Sequence, residues 1–278
     1  MSLASKYQSL QKNLSELSRV AIAFSGGVDS TLLLKVACDL LGPQQVLALT
    51  STSPVFPQHE TDWCKDFTRQ LGVRHILFHG DELELAGFIE NSPHRCFHCK
   101  QNLYQHFLTI TKEQGFAVLL DGSNLDDLKD YRPGREAVTQ LGIGTPLVDA
   151  GLNKNDIRAL SRQLELPTWN KPAFACLATR FPYGTPITRE KLEQVGNCES
   201  WLYQQGFSTY RVRIHDRLAR IEIAPDEMPR LLDTDLKEEL IRICKVNGFD
   251  YVTLDLQGYR SGSMNECLPE NGKAPESG

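Results

Sequence analysis

The sequence predicts an α/β protein with a parallel sheet covered by helices on both faces, followed by a small α+β unit. Two observations predict this fold. In the first half, short apolar runs of strand length alternate with longer helical patterns, and the runs are almost continuously apolar, as in parallel sheets buried on both sides. After about residue 187 the order changes to helix, two alternating strands, helix and strand, which is typical of a separate α+β unit.

The elements of the first half follow in order. The run Val20-Ala-Ile-Ala-Phe24 predicts a strand; a glycine turn and a helix over 31–41 come next, and the helix ends at Gly42. The alternation continues with a strand at 46–50, a helix at about 58–71, a strand at 74–78, a helix at about 98–114 and a strand at 116–121. Residues 167–186 have the composition of a loop.

The second half predicts a smaller set of elements. These are a helix at about 188–205, strands at 210–215 and 219–224, a helix at about 226–246 and a strand at 251–256. We therefore divide the chain into a main domain (1–170), a cysteine-bearing loop (171–187), a small α+β domain (188–260) and a tail (261–278) whose end is expected to be disordered.

Composition and charge narrow the function classes. A net charge of −5 and a pI near 5.8 give no global reason to bind a polyanion, so nucleic acid is not the expected partner. No apolar run of roughly 18 residues predicts a membrane span. Eight cysteines are too dilute for a disulfide scaffold. We expect a soluble, cytoplasmic protein.

A glycine loop lies where the first strand should turn into a helix. In Ser25-Gly-Gly-Val-Asp-Ser30, Gly26 and Gly27 let the backbone approach a polyphosphate, and the following helix offers unpaired N–H groups. Ser25 and Ser30 add hydroxyl donors, and Asp29 could hold Mg²⁺ between phosphates. The lysine of a Walker A loop is missing. The alternative is a tight turn with Asp29 or Ser30 as the N-cap.

Polar residues also follow two other predicted strands. The carboxyl ends of parallel strands meet at one edge of the sheet, where ligands bind. The segments 50–53 and 121–127 should therefore converge with the loop on one crevice. This adds four candidate nucleotide-binding residues: Thr50, Gly122, Asn124 and Asp127.

Three cysteines are candidates for chemistry. Cys96 and Cys99 span one helical turn, which suits a zinc half-site, a redox disulfide or an iron–sulfur cluster. Cys176 lies between cations, which would lower the pKa of a thiol and make it a better nucleophile. The alternative for Cys176 is an inert buried cysteine.

Arg211 and Arg213 alternate along a predicted strand and so face the same side of the sheet. Two guanidinium groups in that position could hold a phosphate. The alternative is the exposed polar face of a half-buried strand.

Together these segments resemble a known family. The Ser25–Ser30 loop is similar to the PP-loop of the N-type ATP pyrophosphatases (adenine nucleotide α-hydrolase-like), and Gly122-Ser-Asn-Leu-Asp-Asp127 to a second motif of that superfamily. The chain from about residue 5 to 266 resembles the LarE sulfur transferases. The resemblance depends on the loop combined with Pro93–Lys100, Ala175–Arg180, Arg211-Val-Arg213, Ile221-Glu-Ile223 and Gly258–Met264.

The resemblance implies a step in making the nickel-pincer nucleotide of lactate racemase. ATP would adenylylate a carboxylate of pyridinium-3,5-biscarboxylic acid mononucleotide, sulfur would attack, and AMP would leave. It implies Cys176 and Arg180 as catalytic residues, and Arg211, Arg213 and Glu222 as residues that bind the substrate phosphate. A homo-oligomer and an external sulfur donor are left open.

The resemblance leaves two sulfur sources. In the sacrificial version, the equivalent of Cys176 gives up its sulfur and becomes dehydroalanine. Family members with three cysteines are expected instead to hold a [4Fe-4S] cluster that carries an extra sulfide, here on Cys96, Cys99 and Cys176. Three thiolates leave one iron open for that sulfide.

Other functions stay open from sequence. A PP-loop tRNA thiolase also combines such a loop with a C-x-x-C pair and a third cysteine, but would be expected to show a basic RNA-binding surface. A nucleotide sensor that holds zinc on Cys96, Cys99 and His98 would bind ATP without releasing pyrophosphate. An amide-forming PP-loop synthetase would need an ammonia source, and no segment resembles a glutaminase.

Overall fold

A computed structural model describes residues 1–128, 133–172, 175–260 and 263–265 of the chain. Most of the predicted tail at 261–278, and residues 173–174 of the predicted cysteine-bearing loop, therefore lie outside the described residues. The described residues form two compact units. The first unit comprises Met1–Asp81 and Cys96–Phe174, and the second comprises Glu82–Arg95 and the residues from Ala175 onward.

The first unit contains a parallel sheet of four strands. These are β1 (Val20–Ala23), β2 (Val46–Thr52), β3 (Arg74–His79) and β4 (Val118–Leu120), in the spatial order β3-β2-β1-β4. Val20 of β1 pairs with Val46 on one side and Val118 on the other. The inner strand β1 has a neighbour on each side and contains only apolar residues, as expected for a strand whose two faces are both buried.

Helices cover both faces of this sheet. In the first unit they are α1 (Leu3–Ser15), α2 (Val28–Leu41), α3 (Gln58–Leu71), α5 (Arg95–Glu113), α6 (Pro133–Gln140), α7 (Pro146–Asp149) and α8 (Lys154–Gln163). The first residue of α5 belongs to the second unit, as does the short helix α4 (Ala86–Ile89). Leu32 and Leu33 of α2 belong to the core on one face, and Phe107 of α5 to the core on the other. The predicted parallel α/β fold is confirmed.

The second unit contains a three-stranded sheet. Its strands are β5 (Tyr210–His215), β6 (Leu218–Ile223) and β7 (Tyr251–Leu254); β5 and β6 are antiparallel, whereas β6 and β7 are parallel. Its longer helices are α9 (Arg189–Gln204) and α11 (Thr234–Val246), with the short α10 (Met228–Leu231) before α11. Asn91 fastens the Glu82–Arg95 excursion to this unit, because its Nδ2 donates to the carbonyl oxygens of Pro182 and Thr185.

Two element predictions need correction. The single helix predicted at about 226–246 is interrupted, because Asp233 starts a new helix by accepting a hydrogen bond from the Asp235 N–H at 3.2 Å. Helices α4, α6, α7 and α8 were not predicted. Asn153 and Asp156 form a reciprocal capping box at the start of α8, and this local signal could have revealed it.

Among the described residues, no helix has the length and apolar character that crossing a membrane requires.

His75 predicts a pH dependence of stability. Its Nε2 lies 2.8 Å from Thr50 Oγ1 and its Nδ1 lies 3.0 Å from Thr68 Oγ1. Burial lowers the pKa of His75 to about 4. In the unfolded chain the pKa of His75 is higher, near 6.5. Between these two values the unfolded chain therefore binds a proton on His75 that the folded protein does not bind. We expect the free energy of unfolding to fall as pH drops from about 6.5 to about 4, by about 1–2 kcal/mol after discounting for solvent screening.

Urea unfolding at neutral pH and near pH 4.5 checks this, with His75→Gln as the matched variant. Glutamine cannot titrate, so its loss of stability over this interval should be smaller than that of the natural protein. Equal losses would show that His75 does not contribute to the dependence.

Candidate functional site

The loop Ser25–Ser30 joins β1 to α2 and requires glycine at one position. Gly26 has φ +70°, and a Cβ there would lie 2.7 Å from Cys64 Sγ. The N-cap residue of α2 is Gly27 and not Asp29 or Ser30, so the cap position supplies no side-chain oxygen to the first helical N–H groups. Such a helix start suits an anionic ligand, because these N–H groups and the helix dipole both attract negative charge.

The two loop serines meet. Ser25 Oγ lies 3.2 Å from Ser30 Oγ, and Ser30 Oγ donates to the Gly27 carbonyl oxygen at 3.3 Å. Gly122, after β4, packs against the same place, since a Cβ on it would lie 3.0 Å from the Ser30 nitrogen. The ends of β1 and β4 therefore converge at the loop, and Gly122 permits the close approach.

Asp29 is the acidic group of the loop. Asn124 Nδ2 donates to Asp29 Oδ1 at 3.4 Å, and Lys154 Nζ lies 2.5 Å from Asp29 Oδ2. Burial raises the pKa of Asp29, while Lys154 acts in the opposite direction and Asp127 adds to the increase. Asp127 also accepts a hydrogen bond from the Asn124 N–H at 2.9 Å. The carboxylate and amide predicted from two separate segments are thus brought together.

Lys154 is a site residue that the sequence prediction missed. It begins α8, its backbone N–H donates to Asp126 Oδ2 at 2.9 Å, and its ammonium group neutralises Asp29. The capping box marked this helix start, but nothing in the sequence pairs residue 154 with residue 29.

Thr50 lies at the end of β2 and is 5% exposed. Its hydroxyl donates to the Phe24 carbonyl oxygen at 2.6 Å and contacts His75 Nε2. The Thr50 hydroxyl therefore links the end of β2 to Phe24, which follows β1, and to His75 in β3. Contact between Thr50 and a nucleotide stays a prediction.

Asp29→Asn tests the loop carboxylate. The amide keeps the shape but loses the charge that would bind Mg²⁺, so we expect ATP consumption to fall by about 100-fold or more, with a raised Mg²⁺ requirement. Pyrophosphate release measured across a Mg²⁺ titration checks this. Asp39→Asn is the control, since Asp39 lies on the same helix and pairs with Lys35 at the surface. Equal activity of both variants would contradict a role for Asp29.

Cys96 and Cys99 lie in the first turn of α5, in the first unit; Cys96 is exposed and Cys99 half-buried. Lys100 Nζ, next in the chain, lies 3.7 Å from Asp121 Oδ2, and Asp121 directly follows β4. The cysteine pair is therefore on the same edge of the sheet as the phosphate loop.

Asp121 also organises its surroundings. Tyr104 Oη donates to Asp121 Oδ2, and the Ser123 N–H donates to Asp121 Oδ1 at 2.8 Å. Burial works to raise the pKa of Asp121, but Lys100 and Ser123 outweigh it and the pKa is lowered. Burial together with the Asp121 charge raises the pKa of Tyr104, so its hydroxyl stays a hydrogen-bond donor.

In the second unit, Cys176 precedes a short 3₁₀ turn at Leu177–Arg180 and is half-buried. Arg180 in this turn is 0% exposed. Its Nε and Nη2 donate to the two carboxylate oxygens of Glu199 at 2.7 and 2.8 Å, and its Nη1 donates to the Ala175 carbonyl oxygen at 2.9 Å and the Cys176 carbonyl oxygen at 3.3 Å. Burial opposes the charge on Arg180, but Glu199 outweighs it and the pKa of Arg180 is raised. Arg180 thus fastens the Cys176 turn to α9.

Arg211, Arg213 and Glu222 share one face of the small sheet, since Arg211 is the cross-strand partner of Glu222. Their side chains are buried, so this is not the exposed polar face that the alternative prediction described. Arg213 Nη2 lies 2.9 Å from Glu222 Oε2, and Ser263 Oγ donates to Glu222 Oε1 at 2.9 Å. Burial and then the Arg180 cation lower the pKa of Arg211, so an anion beside Arg211 would be electrostatically favoured.

Comparison with known proteins places this site in a class. Residues 1–131 match a family model described as a PP-loop domain. Together with the parallel sheet and the glycine loop after β1, this defines the chain as an ATP-dependent enzyme of the PP-loop class.

Full-length relatives narrow the class further. The chain is 39% identical over 266 residues to the pyridinium-3,5-bisthiocarboxylic acid mononucleotide synthase of Lactiplantibacillus plantarum, covering 96% of each protein. It is 40% identical over 266 residues to an uncharacterised protein of Synechocystis, covering 96% of this chain and 99% of that relative. A more distant similarity, 27% over 222 residues, is to a glutamine-hydrolysing GMP synthase component of Saccharolobus solfataricus, of which it spans 58%. The chain belongs to the LarE family of pyridinium-3,5-bisthiocarboxylic acid mononucleotide synthases.

Proposed function

We propose that this enzyme is an ATP-dependent sulfur transferase that acts on pyridinium-3,5-biscarboxylic acid mononucleotide. The observation that carries the proposal is the 39% identity to the L. plantarum synthase, which extends over 96% of both chains and not over the PP-loop domain alone. The name of that relative describes a product with two thiocarboxylates, so its synthesis replaces a carboxylate oxygen with sulfur.

The first half of the reaction is activation of the carboxylate. The loop Ser25–Ser30 binds the polyphosphate of ATP, and Asp29 supplies a carboxylate for Mg²⁺, supported by its burial beside Asn124. A carboxylate oxygen of the substrate attacks the α-phosphorus, and pyrophosphate leaves. The product is an acyl adenylate, in which AMP is a good leaving group for the sulfur nucleophile.

We assign the substrate phosphate to the buried arginine face of the small sheet. The lowered pKa of Arg211 supports this, because burial and the neighbouring Arg180 cation both disfavour the charge of Arg211, and an anion beside it would stabilise that charge. Arg213 and Glu222 already form an ion pair, so the guanidinium group of Arg213 is held in place on this face before the substrate binds.

The sulfur source in this proposal is Cys176, whose turn is held in place by Arg180. A [4Fe-4S] cluster would need three thiolates. The described residues supply Cys96 and Cys99 on one helical turn, but contain no group of three or more histidine, cysteine or acidic side chains arranged to hold a metal. In this proposal the sulfur comes from Cys176, and a variant that lacks Cys96 and Cys99 tests whether a cluster contributes.

The proposal is tested with purified protein, MgATP and the biscarboxylic acid mononucleotide. We expect pyrophosphate and AMP in equal amounts, and a mass increase of about 16 Da for each oxygen replaced by sulfur in the mononucleotide, followed by mass spectrometry. Nicotinic acid mononucleotide, with one carboxylate, is the control substrate. Pyrophosphate release without any thiocarboxylate would reject sulfur transfer, and release stimulated only by tRNA would favour a thiolase.

A further inference from the structure

Lys171 is a charged residue that neither half of the proposed reaction uses. It lies in the first unit, where its Nζ donates to the Gly26 carbonyl oxygen at 3.1 Å and lies 2.5 Å from Glu60 Oε2. The same Nζ stands 4.7 Å from the centroid of the Trp63 ring. An ammonium group has three N–H donors, and a carbonyl, a carboxylate and an aromatic face are partners for all three.

The backbone at Lys171 is also held by hydrogen bonds. Arg158 Nη2 donates to the Lys171 carbonyl oxygen at 2.9 Å, and Arg158 Nη1 donates to the Trp169 carbonyl oxygen at 2.9 Å. The side chains of Lys171 and Glu60 are only 21% and 14% exposed. A lysine fixed at both ends and partly buried can fix the group that it contacts, unlike a mobile surface lysine.

The contacted group is the peptide between the two loop glycines. The C=O and N–H of a trans peptide point in opposite directions. Because Lys171 holds the Gly26 carbonyl on one side, the Gly27 N–H is directed to the other side. Gly27 is the N-cap of α2, and its neighbours there are the Ser25 and Ser30 hydroxyls.

We propose that Lys171 is a positioning residue of the ATP site, which holds the Gly26–Gly27 peptide so that its N–H faces the β- and γ-phosphates. Gly26 has φ +70°, and a glycine can adopt several other backbone conformations at little cost. A contact from outside the loop, here from Lys171, is therefore needed to hold the peptide in one orientation. The proposal rests on ATP binding at Ser25–Ser30, but not on the identity of the acid substrate or the sulfur source.

The test compares MgATP and AMP binding by isothermal titration calorimetry in Lys171→Met and in the natural protein. AMP lacks the β- and γ-phosphates, so we expect MgATP binding to weaken about tenfold or more while AMP binding changes by less than about twofold. Lys65→Met is the matched control: Lys65 lies on the same helix as Glu60 and pairs only with Asp62 among the ion pairs of the described residues. It should leave both affinities unchanged.

A second variant, Glu60→Gln, tests the same contact in case Lys171→Met does not fold. Glu60→Gln keeps an acceptor for Lys171 without its charge, so the MgATP affinity should fall by a smaller factor, about two- to fivefold, again without a change for AMP. A merely structural role would lower the melting temperature and leave the ratio of the two affinities unchanged, which would overturn the proposal. If the natural protein bound no MgATP, the ATP site itself would be refuted.

Discussion

Arg180→Met is expected to lower the free energy of unfolding of the transition that includes the second unit by about 3–5 kcal/mol. Arg180 is fully buried, and methionine fills a similar length without a charge. The substitution leaves Glu199 buried, 3% exposed, with a charge that has lost both guanidinium hydrogen bonds. Breaking one side of a buried pair is costly because the desolvation penalty of the remaining ion is no longer offset.

Urea unfolding followed by circular dichroism measures this loss, with Arg217→Met as the control. Arg217 also pairs with a carboxylate, Asp250, but the pair is exposed, so its removal should lower the stability far less than the loss of Arg180. Adding Glu199→Gln to Arg180→Met should recover about 1–3 kcal/mol, because the orphaned charge is removed while the amide oxygen can still accept the Val212 N–H. Equal stability of the two arginine variants would contradict this account.

The contacts of Arg180 indicate a positioning role beside the catalytic role that the family resemblance implies. The family resemblance implies a catalytic residue, whereas the described contacts of its guanidinium group are with Glu199, Thr179 and the carbonyl oxygens of Ala175 and Cys176. These contacts fit a residue that positions the Cys176 turn. Contact between Arg180 and the reacting groups stays a prediction.

The strands were predictable because their patterns are local. Val20–Ala23 is an apolar run and Val46–Thr52 begins with one, and the glycine loop after Val20–Ala23 marks the end of the first strand. Of the helices between β4 and residue 163 that were not predicted, α7 has only four residues and gives no helical periodicity, whereas α8 begins with a capping box that the sequence already contains.

The ion pairs of the site were not predictable in the same way. Asp29 with Lys154, and Arg180 with Glu199, join residues distant in sequence, and their pairing depends on how α8 and α9 pack. The burial of Arg211 and Arg213 also depends on how elements distant in sequence pack together. Alternation along β5 gives their shared face, but the elements that cover that face decide whether it meets solvent.

Cys176→Ala is expected to lower the yield of thiocarboxylate by a factor on the order of 10³ or more, while pyrophosphate release continues. Activation of the carboxylate uses the phosphate loop in the first unit, so loss of a thiol in the second unit should spare it. Cys244→Ala is the control, since Cys244 is a fully buried cysteine of the second unit that the proposal does not use. It should keep the yield and lose only about 1 kcal/mol of stability.

The double variant Cys96→Ala/Cys99→Ala separates the two sulfur sources. If Cys176 gives up its own sulfur, this variant still makes product, to a limit of about one sulfur per chain, and the protein loses about 34 Da as cysteine becomes dehydroalanine. If a cluster carries the sulfur, the double variant fails as completely as Cys176→Ala, because two of three thiolate ligands are gone. The amount of thiocarboxylate formed per enzyme chain, measured together with the mass of the intact protein, therefore tells whether the cysteine pair on α5 takes part in sulfur transfer.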